Sequence, residues 1–159
     1  MFDARGALVG PSAALLGRAW GDQSAPGVGL RTQERRPSDS DRTTPAGQFA
    51  SEPGRKHESE AVVWIDYSAA LAIHRLRGHP DRAGRLRRLA RDDPAARRVS
   101  DGCVVVPEAF YDAVVQPLLC RQRGWVLVMP EAPQQPMRAA GAVGARPARR
   151  EHGLPVGAP

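Results

Sequence analysis

The sequence contains no asparagine, a single lysine (Lys56) and few aromatic side chains. Phenylalanine, tryptophan and tyrosine make up 5% of the 159 residues, which is little for a hydrophobic core that extends along the whole chain. This scarcity favours one small folded unit with long flanking segments. Arginine provides nearly all of the 23 basic residues, and the abundance of arginine, alanine, glycine and proline is typical of GC-rich coding sequences. The net charge of +6 is therefore weaker support for a nucleic-acid partner than it would otherwise be.

Metal-binding cysteine and histidine patterns are also missing, as are long apolar runs. Cys103 and Cys120 do not lie at a zinc-binding spacing, so we expect buried free thiols. His74 and His79 flank a predicted helix end and His57 lies in a polar segment, so the histidines do not indicate a zinc site either. No apolar run approaches the roughly 20 residues that cross a bilayer. The sequence therefore predicts a cytoplasmic protein without a membrane partner.

The chain divides by composition into three parts. Residues 1 to 60 have equal numbers of acidic and basic side chains and, from Gln23 onward, are rich in serine, proline, glycine and charge. Such a segment buries too little apolar surface to offset the entropy of ordering it, so we expect a disordered N-terminal leader. Residues 132 to 159 lack a sustained helical or strand period and have an excess of arginine, which predicts a flexible basic C-terminal tail. Residues 61 to 131 remain as the folded unit.

Within this unit, the spacing of apolar residues and turn residues predicts alternating strands and helices. An apolar run predicts a buried strand that ends at Asp66. Ser68 is suited to cap a helix that ends near Gly78, and Asp81 is suited to begin a second helix. The series continues with a short helix from Pro94 through Val99, a strand from Cys103 to Val106, a helix from Pro107 that Pro117 kinks or ends, and a strand from Trp125 to Met129. Three strands joined by helices predict an α/β fold, a small right-handed βαβαβ unit with a parallel sheet.

Three segments of this unit resemble the PIN-domain nucleases. VVWIDYSAAL is similar to the family's first motif, in which a hydrophobic strand ends in Asp-x-Ser-Ala. VVVPEAFYDAVV resembles the second motif, a valine-rich strand that leads into a helix, and RGWVLVMP resembles the strand that follows. The resemblance covers residues 61 to 130, less than half of the chain.

The resemblance implies metal-dependent cleavage of RNA, often by the toxin of a toxin–antitoxin pair. Such a reaction needs several carboxylates that hold Mg²⁺ or Mn²⁺ beside the phosphate. Asp66 matches the family's first acid and Ser68 its accompanying hydroxyl, whereas the second acid of the motif falls on Ala113. Asp112 and Glu108 are the substitutes that this sequence offers, with Asp66 and Asp112 as the candidate metal ligands.

The sequence departs from the family beyond Pro130. The family continues with a helix that bears further acids, but this chain has no acidic residue between Glu131 and Glu151. A single carboxylate holds Mg²⁺ weakly, because the ion prefers its water shell. We therefore expect a truncated or degenerate PIN-like fragment that is inactive alone.

Each candidate acid also has a purely structural interpretation. Asp66 can cap the helix predicted after it, since a carboxylate accepts the unpaired N–H groups of a first turn. Glu108 lies in the first turn of a predicted helix, where the helix dipole favours a negative charge. Asp112 can be an ordinary solvated helix residue.

Arg82, Arg85 and Arg88 lie in an arginine-rich predicted helix. They are candidates for contacts with the phosphate backbone of RNA, or they form a solvated helix face. Two other functions stay open for the whole chain. One is a non-catalytic protein-interaction module whose unpaired sheet edges bind an antitoxin-like protein or a second copy. The other is an open reading frame without an evolved biochemical function.

Overall fold

A computed structural model describes residues 1–34, 38–56, 60–77 and 80–131, which form a mixed α/β fold. The strands are β1 (Leu16–Gly17), β2 (Gly47–Arg55), β3 (Ala61–Asp66), β4 (Leu71–Arg75), β5 (Arg98–Ser100), β6 (Val104–Val106) and β7 (Gly124–Val128). The helices are α1 (Val28–Gln33), α2 (Arg82–Leu89) and a helical segment, 108–119, made of α3 (Glu108–Phe110), a π-helical turn (Tyr111–Val115) and α4 (Gln116–Leu119). Two short 3-10 turns lie at Asp39–Arg42 and Ala95–Arg97; the second takes up only the start of the helix predicted from Pro94, because the chain enters β5 at Arg98. None of the helices in these described ranges is long and apolar enough to cross a membrane. The predicted basic tail, residues 132 to 159, lies outside the described residues.

Five strands form the main sheet, in the order β6-β4-β3-β2-β7. The β4–β3, β3–β2 and β2–β7 pairs are antiparallel, and the β4–β6 pair is parallel. The α/β class that the sequence predicts is confirmed, but the prediction of a wholly parallel sheet is wrong. The chain between β4 and β6 passes through α2, so the sheet contains one parallel crossover. β7 does not extend that parallel arrangement, because it pairs with β2 at the opposite edge.

The first predicted helix, from Ser68 toward Gly78, is also wrong. Residues Leu71 to Arg75 form β4, which pairs with β3 through a tight turn. An alanine-rich segment favours a helix locally, but burial against a neighbouring strand overrides that preference here. Gly78 lies outside the described residues. The second predicted helix is confirmed as α2, where Asp81 Oδ1 accepts a hydrogen bond from the Gly84 N–H at 3.1 Å.

Part of the segment predicted as a disordered leader belongs to the sheet. β2 lies between β3 and β7, and Ser51 at its centre is fully buried. Its sequence, GQFASEPGR, contains residues that usually interrupt strands. Gly54 is required because the Trp64 side chain packs where a Cβ would lie. Pro53 has no N–H to donate, but this is tolerated because the pairing of β2 with β7 ends at Ser51, before Pro53. The sheet therefore begins before Ala61, the boundary that composition predicts.

The N-terminal segment also packs against the sheet through Leu15. This residue exchanges two backbone hydrogen bonds with Val105 of β6, with N···O distances of 2.8 and 2.9 Å. Its side chain is fully buried in a small core with Leu76, Leu89 and Val105. The outer edge of β6 is therefore covered by the chain's own N-terminal segment.

The larger core lies between the sheet and the helical segment 108–119. The helix predicted after Pro107 is confirmed, and Pro117 marks an irregularity within it. A proline has no N–H to donate to the carbonyl four residues earlier, which here belongs to Ala113. The π-helical turn contains Ala113, and a wider turn of this kind accommodates the lost bond. The buried core residues are Val63, Ile65, Leu71, Ile73, Val106, Tyr111, Val115 and Leu119.

Candidate functional site

Asp66 closes the turn between β3 and β4. Its Oδ1 accepts a hydrogen bond from the backbone N–H of Ala69 at 3.0 Å. Ser68 lies in the same turn, and Ala70 ends it with a φ of 54°, a conformation that is uncommon outside glycine. A carboxylate that binds backbone N–H groups in this way stabilises a turn. The structure therefore gives Asp66 a capping role, but in a hairpin instead of the predicted helix.

Asp112 is held by a buried arginine, Arg75. The Nε of Arg75 donates to Oδ1 of Asp112 at 2.5 Å, and its Nη2 donates to Oε1 of Gln116 at 2.8 Å. Its Nη1 donates to the carbonyl oxygen of Ala61 at 3.3 Å. Because Arg75 is only 7% exposed, its guanidinium acts as a cross-link between β4, the start of β3 and the helical segment 108–119.

The ring of Tyr111 lies against the same guanidinium, with 4.2 Å between Arg75 Cζ and the ring centroid. The Tyr111 hydroxyl donates to the carbonyl oxygen of Ala61 at 3.0 Å and lies 3.3 Å from the Cys120 sulfur. Burial raises the pKa of this hydroxyl above its ordinary value, so it stays a hydrogen-bond donor at neutral pH. These polar groups satisfy one another, which is the arrangement of a structural cluster.

Glu108 is paired with arginines on the surface. Arg77 donates Nε and Nη2 to Oε1 of Glu108 at 3.1 and 2.7 Å, and Arg82 lies 4.0 Å from Oε2. Glu108 also lies in the first turn of the helical segment 108–119, where the helix dipole favours it. Arg82, predicted to contact RNA, therefore faces a carboxylate.

The predicted metal ligands do not lie together. Asp112 is joined through Arg75 to Ala61, the first residue of β3, whereas Asp66 is the last residue of that strand. At roughly 3.3 Å per residue, the length of β3 separates the two ends by about 17 Å. In the part of the chain that the structure describes, no group of three or more His, Cys, Asp or Glu side chains is placed to hold a metal. The residues present therefore do not fit the Mg²⁺ or Mn²⁺ site that the resemblance implies.

Two other partly buried groups, His74 and Cys103, are uncharged at neutral pH. The Nδ1 of His74 lies 2.9 Å from the carbonyl oxygen of Arg75, and burial lowers the pKa of His74 to about 4. The Cys103 thiol lies 3.5 Å from the carbonyl oxygen of Ala70, and burial raises its pKa above the ordinary value. A neutral imidazole and a protonated thiol pack well in a core, but neither is an activated nucleophile.

Two of the three predicted RNA-binding arginines, Arg85 and Arg88, line one cleft of about 280 Å³. Two further arginines complete it: Arg18, which follows β1, and Arg98, the first residue of β5. We call this the arginine cleft; its lining residues are Arg18, Asp81, Arg85, Arg88, Arg98 and Val99. The sequence does not reveal the two added arginines, because one lies in the predicted leader and the other in a segment predicted to be helical.

β7 is an edge strand with an exposed apolar face. Trp125, Leu127 and Met129 are 66%, 67% and 78% exposed, and we call these three residues the β7 strip. Over the described ranges, β7 pairs with one strand, β2. Edge strands are commonly protected from pairing by charged residues, but no residue from Gly124 to Pro130 is charged.

A groove of about 580 Å³ lies beside β7. It is bordered by residues 1–4, by Leu118 and Leu119 at the end of the helical segment, and by β7 itself. Its lining is mainly apolar. Both the edge of β7 and the groove next to it therefore offer apolar surface to an added strand.

No protein-family model, no curated protein and no solved structure matches this chain. The resemblance to PIN-domain nucleases therefore stays a prediction.

Proposed function

We propose that this protein is a non-catalytic interaction module that self-associates through the edge of β7. The observation that supports it is the β7 strip, three large apolar side chains on one face of an edge strand that has no charged residue. Exposed edges of this kind bind other strands by extending the sheet. The occupant that we propose is the β7 strand of a second copy.

The backbone of β7 is oriented for such pairing. The N–H of Gly124 donates to Oγ of Ser51 on β2 at 2.9 Å, so the polar groups of Gly124 face β2. Successive residues of a strand alternate in the direction of their N–H and C=O groups. Those of Trp125 and Leu127 therefore point away from β2, toward the open edge.

An antiparallel pair of β7 strands centred on Leu127 is self-complementary. It places Leu127 opposite Leu127 of the second copy, and Trp125 opposite its Met129. On the other sheet face, Val126 meets Val128 of the second copy, and these half-buried valines lie on the side that packs against the core. A twofold axis perpendicular to the sheet relates the two strands, so the same face of each copy lies on the same side of the extended sheet. On the core side, the added strand therefore presents valine side chains to the groove beside β7, whose lining is mainly apolar.

Charge at the two ends of β7 favours the antiparallel direction. Arg121 and Arg123 precede the strand, and Glu131 follows it. Antiparallel pairing separates Arg121 and Arg123 of one copy from those of the other. Within each copy, Arg123 pairs with Glu52 at 2.8 Å and Glu131 pairs with Arg98. Parallel pairing would instead place like charges side by side, which is destabilising.

Replacement of Leu127 by lysine is expected to weaken this association. Leu127→Lys places two ammonium groups opposite each other at the twofold axis and removes the cross-strand contact between the two leucines. A cross-strand apolar pair contributes roughly 0.2 to 1 kcal/mol and like charges directly opposite are destabilising, so we expect the dimer dissociation constant to rise about tenfold. Sedimentation velocity over a range of protein concentrations measures it.

Leu30→Lys is the matched control, because Leu30 is 61% exposed but lies on α1. This variant should associate as the wild type does. A wild-type chain that is folded and monomeric at every concentration would contradict the proposal. An unfolded wild-type chain would instead support an open reading frame without evolved function.

Cleavage of RNA with Mg²⁺ or Mn²⁺, which the resemblance implies, stays a prediction, as does an antitoxin-like partner. The non-catalytic proposal predicts that the folded chain does not cut RNA with either metal beyond the background seen with EDTA. Asp66→Asn is the control, since it removes the acid that matches the family's first motif. Metal-dependent cutting that disappears in Asp66→Asn would overturn the non-catalytic proposal.

A further inference from the structure

We propose that the arginine cleft binds a phosphate group, either free phosphate or a phosphate monoester on a small molecule. The cleft shares no residue with β7, so this site is independent of the self-association proposed above. Its support is a cleft lined by four arginines that come from three separate parts of the fold.

The scaffold holds these arginines in place before any ligand binds. Arg85 donates Nη2 to the carbonyl oxygen of Val99 at 3.2 Å, and Arg88 donates Nη1 to that of Ala96 at 3.1 Å. Each guanidinium has five N–H groups, so these anchoring bonds fix the orientation and leave further donors for a ligand. Side chains oriented in advance lose less entropy when they bind.

Arg98 forms the most rigid wall of the cleft. Its side chain is only 8% exposed. It donates Nη2 to the carbonyl oxygen of Ala19 at 2.7 Å, forms an ion pair with Glu131, and lies 4.1 Å from the centroid of the Trp20 ring. Among the described residues its Nε has no hydrogen-bond partner, although it is buried. A buried donor without a partner costs free energy.

Positive charge in the cleft is only partly neutralised. Four arginines line it together with one acid, Asp81, which is engaged as the cap of α2, and Arg98 is neutralised by its ion pair with Glu131. Asp101, outside the lining, accepts from Arg18 at 2.8 Å and lies 3.6 Å from Arg42. Burial lowers the pKa of Arg85 from its ordinary value, the nearby charge of Asp101 acts in the opposite direction, and the charge of Arg18 adds a smaller lowering. A bound anion would reduce the repulsion between the arginines that line the cleft.

Phosphate suits this cleft better than a carboxylate or an extended polyanion. Guanidinium groups form paired hydrogen bonds with phosphate oxygens, and a dianion neutralises more than one of the converging arginines. The cleft is small, and aromatic side chains for stacking of successive bases do not appear among its lining residues. We therefore expect selection of a terminal phosphate over the phosphodiester backbone of a nucleic acid.

Titration calorimetry of the full chain with inorganic phosphate, at constant ionic strength, tests the site. Saturable binding at millimolar concentrations is expected for the wild type. Arg88→Gln and Arg85→Gln should each weaken it about tenfold or more, because each removes a charge-assisted hydrogen bond. Arg88→Gln keeps the test valid if Arg85→Gln fails to fold, since Arg88 lies closer to the surface.

Arg87→Gln is the matched control, because Arg87 is exposed on the same helix and does not line the cleft. It should bind phosphate as the wild type does. A nucleoside 5′-monophosphate should compete with phosphate, and an oligonucleotide without a terminal phosphate should not. The proposal is overturned if the wild type shows no saturable binding, if Arg87→Gln loses binding equally, or if the oligonucleotide competes as well as the monophosphate.

Discussion

Truncation of Leu15 to alanine is expected to destabilise the protein by about 2 to 5 kcal/mol, the range for a fully buried leucine. Leu15 is 0% exposed and packs against Leu76, Leu89 and Val105. Its backbone bonds to Val105 persist in the variant, so the loss is that of side-chain packing and of the cavity left behind. Urea unfolding followed by circular dichroism measures the change.

Leu8→Ala provides the comparison within the same N-terminal segment. Leu8 is 61% exposed, and surface substitutions of this kind usually change stability by less than about 0.5 kcal/mol. A large difference between the two variants means that the first 20 residues belong to the folded unit. Equal and small effects would mean that the segment is a detached leader, as composition predicts.

Replacement of Arg75 by methionine is expected to cost about 2 to 4 kcal/mol. Methionine keeps much of the side-chain volume but removes every donor that reaches Asp112, Gln116 and Ala61. Breaking a buried ion pair by removing one partner is strongly destabilising. Asp112 is 45% exposed, so water can solvate its carboxylate, which keeps the cost toward the lower end of that range.

Arg77→Met is the control for Arg75→Met. Arg77 and Glu108 are 49% and 42% exposed, and exposed ion pairs contribute roughly 0 to 1 kcal/mol. Thermal unfolding of both variants at one pH compares them directly. Similar losses from the two substitutions would contradict the cross-linking role of Arg75.

Elements with a clear local signal are the ones that the sequence predicts correctly. β3 and β6 are apolar and rich in β-branched residues, and α2 begins at an aspartate that caps it. Strand pairing, however, is a tertiary property. The segment before β4 is rich in alanine, and β2 contains glycine and proline. Their local sequences therefore do not favour strands, and both strands are stabilised by pairing with their neighbours. Because the sequence does not predict β2, it does not predict the position or direction of β7 either.

The candidate site shows the same limit. The capping role of Asp66 was one of its predicted alternatives, since the carboxylate and the N–H groups are close in sequence. The sequence does not predict the role of Arg75, because an arginine that follows an apolar run is usually exposed, whereas here it is buried against Asp112. The arginine cleft joins Arg18 to Arg98, which lie far apart in the chain and meet only through the pairing of β1 with β5.

The strand order also sets an order of assembly during synthesis. β2, β3 and β4 are neighbours in sequence, and their antiparallel pairing closes short loops. β7 must instead return to β2 from the far end of the described chain, pairing Gly124 with Ser51. Non-local pairing of this kind is slow, and chains fold from the N-terminus as they leave the ribosome. Until β7 has docked, β2 is the free edge of the sheet, so the partly folded chain exposes a different edge strand from the one that the folded protein presents.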